Sequence, residues 1–289
     1  MNAAVLFGLA SALGYGITDY LSRRAGRAVG VWRTLFYGDM LVFVAMAAWL
    51  SSAPGTRHLA STADGAAWAA AIGSGVILLA AAASLTQGLM HGTIAVVAPV
   101  AASYGAISTL LSVVAGERLS AGPALGIVVT LIGVLLVSIP EGGRRELRQH
   151  LSSSGVGWAI GAALGYGVGF WLQGRFAVPA LGAAIPVGVS YGLVVVLLPL
   201  LHRPLGVSLA VPTLSQFRPV LATGLFGGMG YGALTLGLAT GRIAIVVVLS
   251  TLASAVTVVL ARLVDRAPVA RHQWVGMMVV IAGLILIKI

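Results

Sequence analysis

Apolar residues run in long stretches separated by Arg, Pro or clusters of Ser and Gly, at roughly Ala3 to Ser22, Val29 to Leu50, Ala66 to Met90, Thr93 to Gly116 and Ala124 to Ile139. After a polar, basic connection from Pro140 to Ser154 a second set follows, at Gly155 to Gly174, Leu181 to Leu201, Val220 to Thr240, Ile243 to Val264 and Trp274 to Lys288. Crossing a hydrocarbon core about 30 Å thick takes about 20 apolar residues of helix, at 1.5 Å each. The pattern therefore predicts about ten transmembrane helices. Lipid offers backbone N–H and C=O groups no partner, so each stretch must satisfy its own by coiling, and the runs are too uniformly apolar for barrel strands. The expected fold class is all-α integral membrane.

The second half repeats the first. Leu13-Gly14-Tyr15-Gly16 matches Leu164-Gly165-Tyr166-Gly167, and Arg24 falls on Arg175. Thr86-Gln87-Gly88-Leu89 through Gly92-Thr93-Ile94-Ala95 matches Thr235-Leu236-Gly237-Leu238 through Gly241-Arg242-Ile243-Ala244; Glu117-Arg118 then meets Asp265-Arg266, and Gly133 meets Gly283. The chain divides into a unit over 3–139, a basic connecting loop over 140–154 and a second unit over 155–289. A unit of five spans enters and leaves on opposite faces, so the two copies are expected to be inverted with respect to each other, as in many secondary transporters.

These repeats carry a family resemblance. Ile94-Ala95, Pro99-Val100, Gly116-Glu117-Arg118-Leu119-Ser120, Gly126 and Gly133-Val134 in the first half, and Tyr231-Gly232-Ala233-Leu234 ahead of Ile243-Ala244 in the second, resemble the EamA branch of the drug/metabolite transporter superfamily over nearly the whole chain. Val248 stands where a proline opposite Pro99 is expected, and Asp265-Arg266 stands for Glu-Arg. The resemblance implies a metabolite or amino-acid-like substrate, often exported, and a multi-pass protein of the plasma (inner) membrane of a prokaryote.

Composition agrees with the membrane reading: 59% of residues are hydrophobic and 8% charged, against about 25% charged in soluble domains. The net charge of +10 does not indicate nucleic-acid binding, because the basic residues are scattered through inter-helix loops instead of gathered on one face. Without cysteine there is no disulfide framework or thiolate site, and no cofactor is expected. Connections 1-2, 5-6, 7-8 and 9-10 hold twelve arginines: Arg23, Arg24, Arg27, Arg33, Arg144, Arg145, Arg148, Arg203, Arg218, Arg262, Arg266 and Arg271. The opposite face holds five basic residues, Arg57, Arg118, Arg175, Arg242 and Lys288. The positive-inside rule then places both termini outside the cytoplasm, whereas the family resemblance implies cytoplasmic termini.

A charge at mid-bilayer is costly, so intramembrane acids usually face a cavity. Asp39 lies near the middle of the second span with no base three or four residues away, which marks it as a substrate and proton-coupling candidate. Asp19, four residues before Arg23, is a second proton-coupling candidate, its spacing fitting an interfacial ion pair or a cavity role equally well. Asp64, Glu117, Glu141, Glu146 and Asp265 read as surface or structural acids. Tyr15, Tyr104, Tyr166, Trp171 and Tyr231 offer ring faces and polar tips, and Gln87 and Ser250 further hydrogen bonds, to a substrate cavity. Pro99 and Pro186 lie inside spans, where a missing N–H should kink a helix or free a carbonyl for a gate. The glycine stripes Gly157, Gly161, Gly165, Gly169 and Gly224, Gly228, Gly232 read mainly as close-packing faces.

Gly188-Val189-Ser190-Tyr191-Gly192 matches the pattern of a hydrolase nucleophile elbow, but within a helix it lacks the strand-to-helix turn and positioned base that chemistry needs. No metal or phosphate-binding motif appears, so an enzyme is not expected. The leading expectation is a secondary transporter by alternating access, proton-coupled or uniport, for an amphipathic amino-acid-like or amine-containing metabolite. A lipid flippase or a non-transporting scaffold is the alternative, and the sequence does not separate monomer from homodimer. Substrate and lipid bilayer are the expected partners.

Overall fold

The computed structural model describes residues 3–92, 94–137, 154–204, 206–265 and 271–288, and contains no strand among them. Its helices are α1 Ala3–Val29, α2 Val31–Ser52, α3 Pro54–Thr62, α4 Gly65–His91, α5 Ile94–Ala102, α6 Tyr104–Val114 and α7 Ala121–Val137 in the first half. The second half has α8 Ser154–Leu172, a π-helical turn Gln173–Ala177, α9 Val178–Leu181, α10 Ala184–Leu201, α11 Leu214–Leu238, α12 Ile243–Ser250, α13 Ala253–Asp265 and α14 Arg271–Lys288. The connecting loop 140–153 lies outside the described residues.

Among the described residues, seven helical segments are long and apolar enough to cross a membrane: Ala3–Val29, Val31–Ser52, Gly65–His91, Gly155–Leu181, Ala184–Leu201, Leu214–Leu238 and Ile243–Asp265. Three further apolar helices, Val100–Val114, Ala121–Gly133 and Trp274–Gly283, are shorter. Local chemistry explains several ends. Gly30 takes φ 85°, open to glycine because it has no Cβ, and joins α1 to α2 through a single residue. Asp64 caps α4 by accepting from the Ala67 N–H at 2.8 Å, and Thr213 and Gln216 form a capping box at the start of α11.

Two expected single helices are broken. α5 ends at Ala102 and α6 resumes at Tyr104; α12 ends at Ser250 and α13 resumes at Ala253. At each break the bonds tighten to i→i−3, Ser103 N–H to Val100 O at 3.2 Å and Thr251 N–H to Val248 O at 3.1 Å. The second break forms with Val248 where the first half has Pro99, so proline is not what the geometry requires. Pro186 is also placed differently from the expectation. It is the third residue of α10, where its missing N–H would have had no helical partner, so it interrupts nothing.

The packing exchanges partners between halves. α1 packs along α11 and α8 along α4; α2 packs on α10 and α7 on α14. Glycines mark the closest contacts. A Cβ on Gly14 would lie 2.6 Å from the Gly230 Cα, and one on the matching Gly165 would lie 2.7 Å from the Ala81 Cβ. Gly16 faces Val256, and the matching Gly167 faces Ile107, with a Cβ at 2.7 Å. The sequence repeat is thus repeated as the same helix–helix contacts. The stripes are used only in part: Gly165 and Gly169 of α8 meet side chains, whereas a Cβ on Gly157 or Gly232 would meet nothing within 4 Å.

Candidate functional site

Six helices, α1, α2, α4, α8, α10 and α11, enclose a central cavity with about 840 Å³ of empty space, counting its open mouth. Its lining runs from Tyr231, Ser190 and Phe170 at the inner end to Ser22 of α1, Thr34 of α2 and Leu89 of α4, so it reaches toward the face that carries the α1–α2 turn. Glycines open this space: Gly38 of α2 lies against Gly224 of α11 at backbone contact, and both line it.

Asp19 and Asp39 both line the cavity. Among the described residues neither accepts a hydrogen bond nor pairs with a cation. The Asp19–Arg23 pair that the spacing allows does not form. Tyr166 lies within electrostatic reach of both carboxylates, and Tyr191 within reach of Asp39. Among the described residues no Lys, Arg or His lines the cavity.

Tyr15, Tyr166 and Tyr231 also line the cavity. They are joined by Phe170, a buried hub that stacks on Tyr166 at 5.4 Å between centroids and packs at 6.3 Å from Tyr15 and 6.1 Å from Tyr231. Tyr191 meets Tyr231 edge-on at 5.7 Å. At the inner end Gln173, fully buried, donates its Nε2 hydrogens to Tyr231 and to Ser190 at 3.3 Å. Ser190 Oγ lies 2.8 Å from the Tyr231 hydroxyl and donates to Pro186 O at 2.9 Å. Gln173 opens the π-helical turn, a local widening often found at functional sites.

Four expected site residues lie elsewhere. Trp171 lines a separate recess with Glu117 and Arg175; it follows Phe170 by one residue, and a helix turns its side chains by about 100° per residue. Gln87 is displaced in the same way from Thr86, which does line the cavity. Tyr104 and Ser250 hydrogen-bond to each other at 2.8 Å behind the cavity wall, across the two helix breaks. Pro186 is not among the lining residues, although Ser190, bonded to its carbonyl, is; the side chain of Pro99 lies outside the described residues. Sequence reasoning missed Phe170, Gln173 and Ser190. Phe170 and Gln173 lie four and seven residues after Tyr166, the helical spacing that would have found them.

The acids read as structural act at helix ends. Glu117, beyond α6, accepts from the Ala244 N–H of α12 at 3.3 Å through either oxygen, so one half caps a helix of the other. Burial pushes its carboxyl above the usual range, with the Ala244 N–H and Arg242 opposing. Asp265 instead pairs with Arg24 at 2.6 Å and accepts from Tyr20 at 3.0 Å.

Comparison with known proteins agrees with this architecture. No curated protein matches the sequence. A crystal structure described only as that of a protein has a TM-score of 0.75 at 19% identity, over 98% of this chain and 95% of its own, a likeness of fold. The model of the EamA-like transporter family matches residues 2–139 and again 153–289, nearly the whole chain in two halves. With its apolar helices and its doubled unit, the chain belongs to the EamA-like transporter family, a family of multi-pass membrane transporters.

Proposed function

We propose that the protein is a secondary transporter that exports small amphipathic metabolites bearing an amino group, amino-acid-like or amine-containing, by alternating access. In this reading ten spans form two inverted five-helix halves, α5–α6 and α12–α13 each crossing as one broken span. The observation that carries the reading is the central cavity: two unpaired carboxylates and a cluster of aromatic rings, without a base among the described residues, between helices of both halves. Such a lining attracts a cation beside an apolar body and offers a phosphorylated solute none of its usual partners. Proton and substrate compete for the same carboxylates.

A flippase calls for a polar groove open sideways to lipid. The recess lined by α2, α3, α9, α10 and α11 instead presents Met46, Trp49, Leu59, Leu181 and Leu236 with little polar surface, which favours the metabolite carrier. By the positive-inside rule the twelve arginines of the basic connections support a cytoplasmic location for the face toward which the cavity reaches, against the cytoplasmic termini that the family resemblance implies. An inward-reaching cavity is the loading state of an exporter.

Proteoliposomes containing the purified protein and loaded with a mixed metabolite pool test the reading by mass spectrometry of released solutes. Release of amines or amino acids above that from empty liposomes, changed by an imposed pH gradient, is the expected result. Release of phosphorylated sugars in preference to amines would show that the cavity is not the substrate site.

A further inference from the structure

Six of the ten hydroxyl groups that line the central cavity have already given up their hydrogens; those of Tyr15, Ser22, Tyr166 and Tyr191 are the exceptions. A serine or threonine hydroxyl has one hydrogen to donate and lone pairs to accept. Thr34 donates to Gly30 O at 2.9 Å, Thr86 to Ala82 O at 2.8 Å, Thr223 to Pro219 O at 2.8 Å and Thr18 to Thr223 O at 3.4 Å. Ser190 donates to Pro186 O, so in its 2.8 Å contact with Tyr231 the tyrosine is the donor. Gln173, behind them, directs its amide hydrogens at these two oxygens. The donor chain from Gln173 through Tyr231 and Ser190 to Pro186 ends on a main-chain carbonyl; Ser190, which accepts from both Gln173 and Tyr231, is saturated, and the chain leaves the cavity one lone pair, on Tyr231, and no hydrogen.

The other polar groups strengthen this bias. Asp19 and Asp39 accept only, when ionised. Among the described residues no Lys, Arg, His, Trp, Asn or Gln lines the cavity. The helix breaks and the first turn of α10, where backbone N–H groups could receive an anion, contribute no lining residue. The donors left over are single neutral hydroxyls such as Tyr166, and Tyr166 lies within electrostatic reach of both carboxylates. A substrate carboxylate would lose its water in this space, face two acids of its own sign and find no charged donor, whereas an ammonium would find carboxylates, lone pairs and ring faces.

We infer that the cavity discriminates against the α-carboxylate: its substrates are net cationic amines, and a zwitterionic amino acid is a poorer ligand than the amine that remains once its carboxylate is removed. This rests on the transporter reading and narrows it, from amino-containing metabolites in general to amines without a carboxylate.

The test uses the full chain in proteoliposomes and matched ligands that differ in one group: phenylalanine, phenylalanine methyl ester and phenethylamine, with tryptophan and tryptamine as a second pair. Each competes for release of a solute found to be transported, and each is scored for stabilisation of the purified protein against heat. The amine and the ester should compete at concentrations at least about tenfold lower than the amino acid. Leu79→Arg, which places a guanidinium on the cavity wall, should narrow that ratio; the wild-type comparison does not depend on this variant folding. An amino acid that competes as well as its amine, or an ester that behaves like the free acid, overturns the inference. If no member of either series competes while another solute is transported, the inference fails and the transporter reading stands. If nothing is transported, both fall.

Discussion

Asp19 and Asp39 enter the cavity from neighbouring helices of the first half, and the second half supplies no matching acid to the lining. Because neither holds a partner in place among the described residues, replacing either with the isosteric amide orphans no donor and should leave thermal stability unchanged or slightly raised. Transport should respond differently. Asp39→Asn and Asp19→Asn are each expected to lower amine transport at least about tenfold, the equivalent of about 1.4 kcal/mol, with Asp39→Asn the more severe. Wild-type transport by a stable Asp39→Asn protein at every pH would remove that acid from the site. Tyr231 is the opposite case, since its hydroxyl accepts from Gln173 and is bonded to Ser190. Tyr231→Phe leaves a buried amide short of a partner and should cost about 1–3 kcal/mol of stability, read as a lowered unfolding midpoint in detergent; an unchanged midpoint would mean that the network contributes nothing to folding.

At the scale of elements, small residues decide how closely helices meet. The Gly224–Gly38 contact is backbone on backbone, with a Cβ on Gly224 2.7 Å from the Gly38 Cα. Neither helix can yield by rotating a side chain, so Gly224→Ala should separate α2 from α11, lower stability by about 1–3 kcal/mol and reshape the cavity wall. Gly232 lies two turns along the same stripe and faces open space; Gly232→Ala is expected to be neutral or slightly stabilising, since alanine is the better helix former. Thermal unfolding of the two variants side by side checks the pair, and equal effects would show that the stripe packs uniformly. The broken spans follow the same logic. Their breaks lie at matching positions of the repeat whether or not proline is present, and Tyr104 and Ser250 link them, so the geometry belongs to the meeting of two helices and not to one residue.

For the whole molecule, orientation is the open structural prediction, and the cysteine-free chain makes it accessible. Ser208, in the exposed connection before α11, and Ser61, in α3, lie on opposite faces in the ten-span reading. With the basic connections in the cytoplasm, an impermeant thiol reagent applied to intact cells should label Ser61→Cys and spare Ser208→Cys. Labelling of Ser208→Cys alone would reverse the orientation and with it the face to which the cavity reaches.

Much of this was legible along the chain. Hydrophobic length located the long helices to within a few residues at many of their ends, because lipid forces every spanning backbone to satisfy itself locally. The Leu-Gly-Tyr-Gly repeats identified the doubled unit, and the tertiary contacts of Gly14, Gly16, Gly165 and Gly167 follow that repeat residue for residue. The cost of an intramembrane charge pointed to Asp39 and less firmly to Asp19. Tertiary structure decided which side chains converge: it brought Phe170, Gln173 and Ser190 to the site, turned Trp171 and Gln87 away and tied Tyr104 to Ser250. The reason is the solvent. In water a helix marks its buried face by being apolar there and polar outside, but in a bilayer the lipid-facing and core-facing sides are both apolar, and the periodicity that would reveal the inward face is lost. Sequence could say how deep a residue lies along a helix; only the packing of its neighbours could say which way it points.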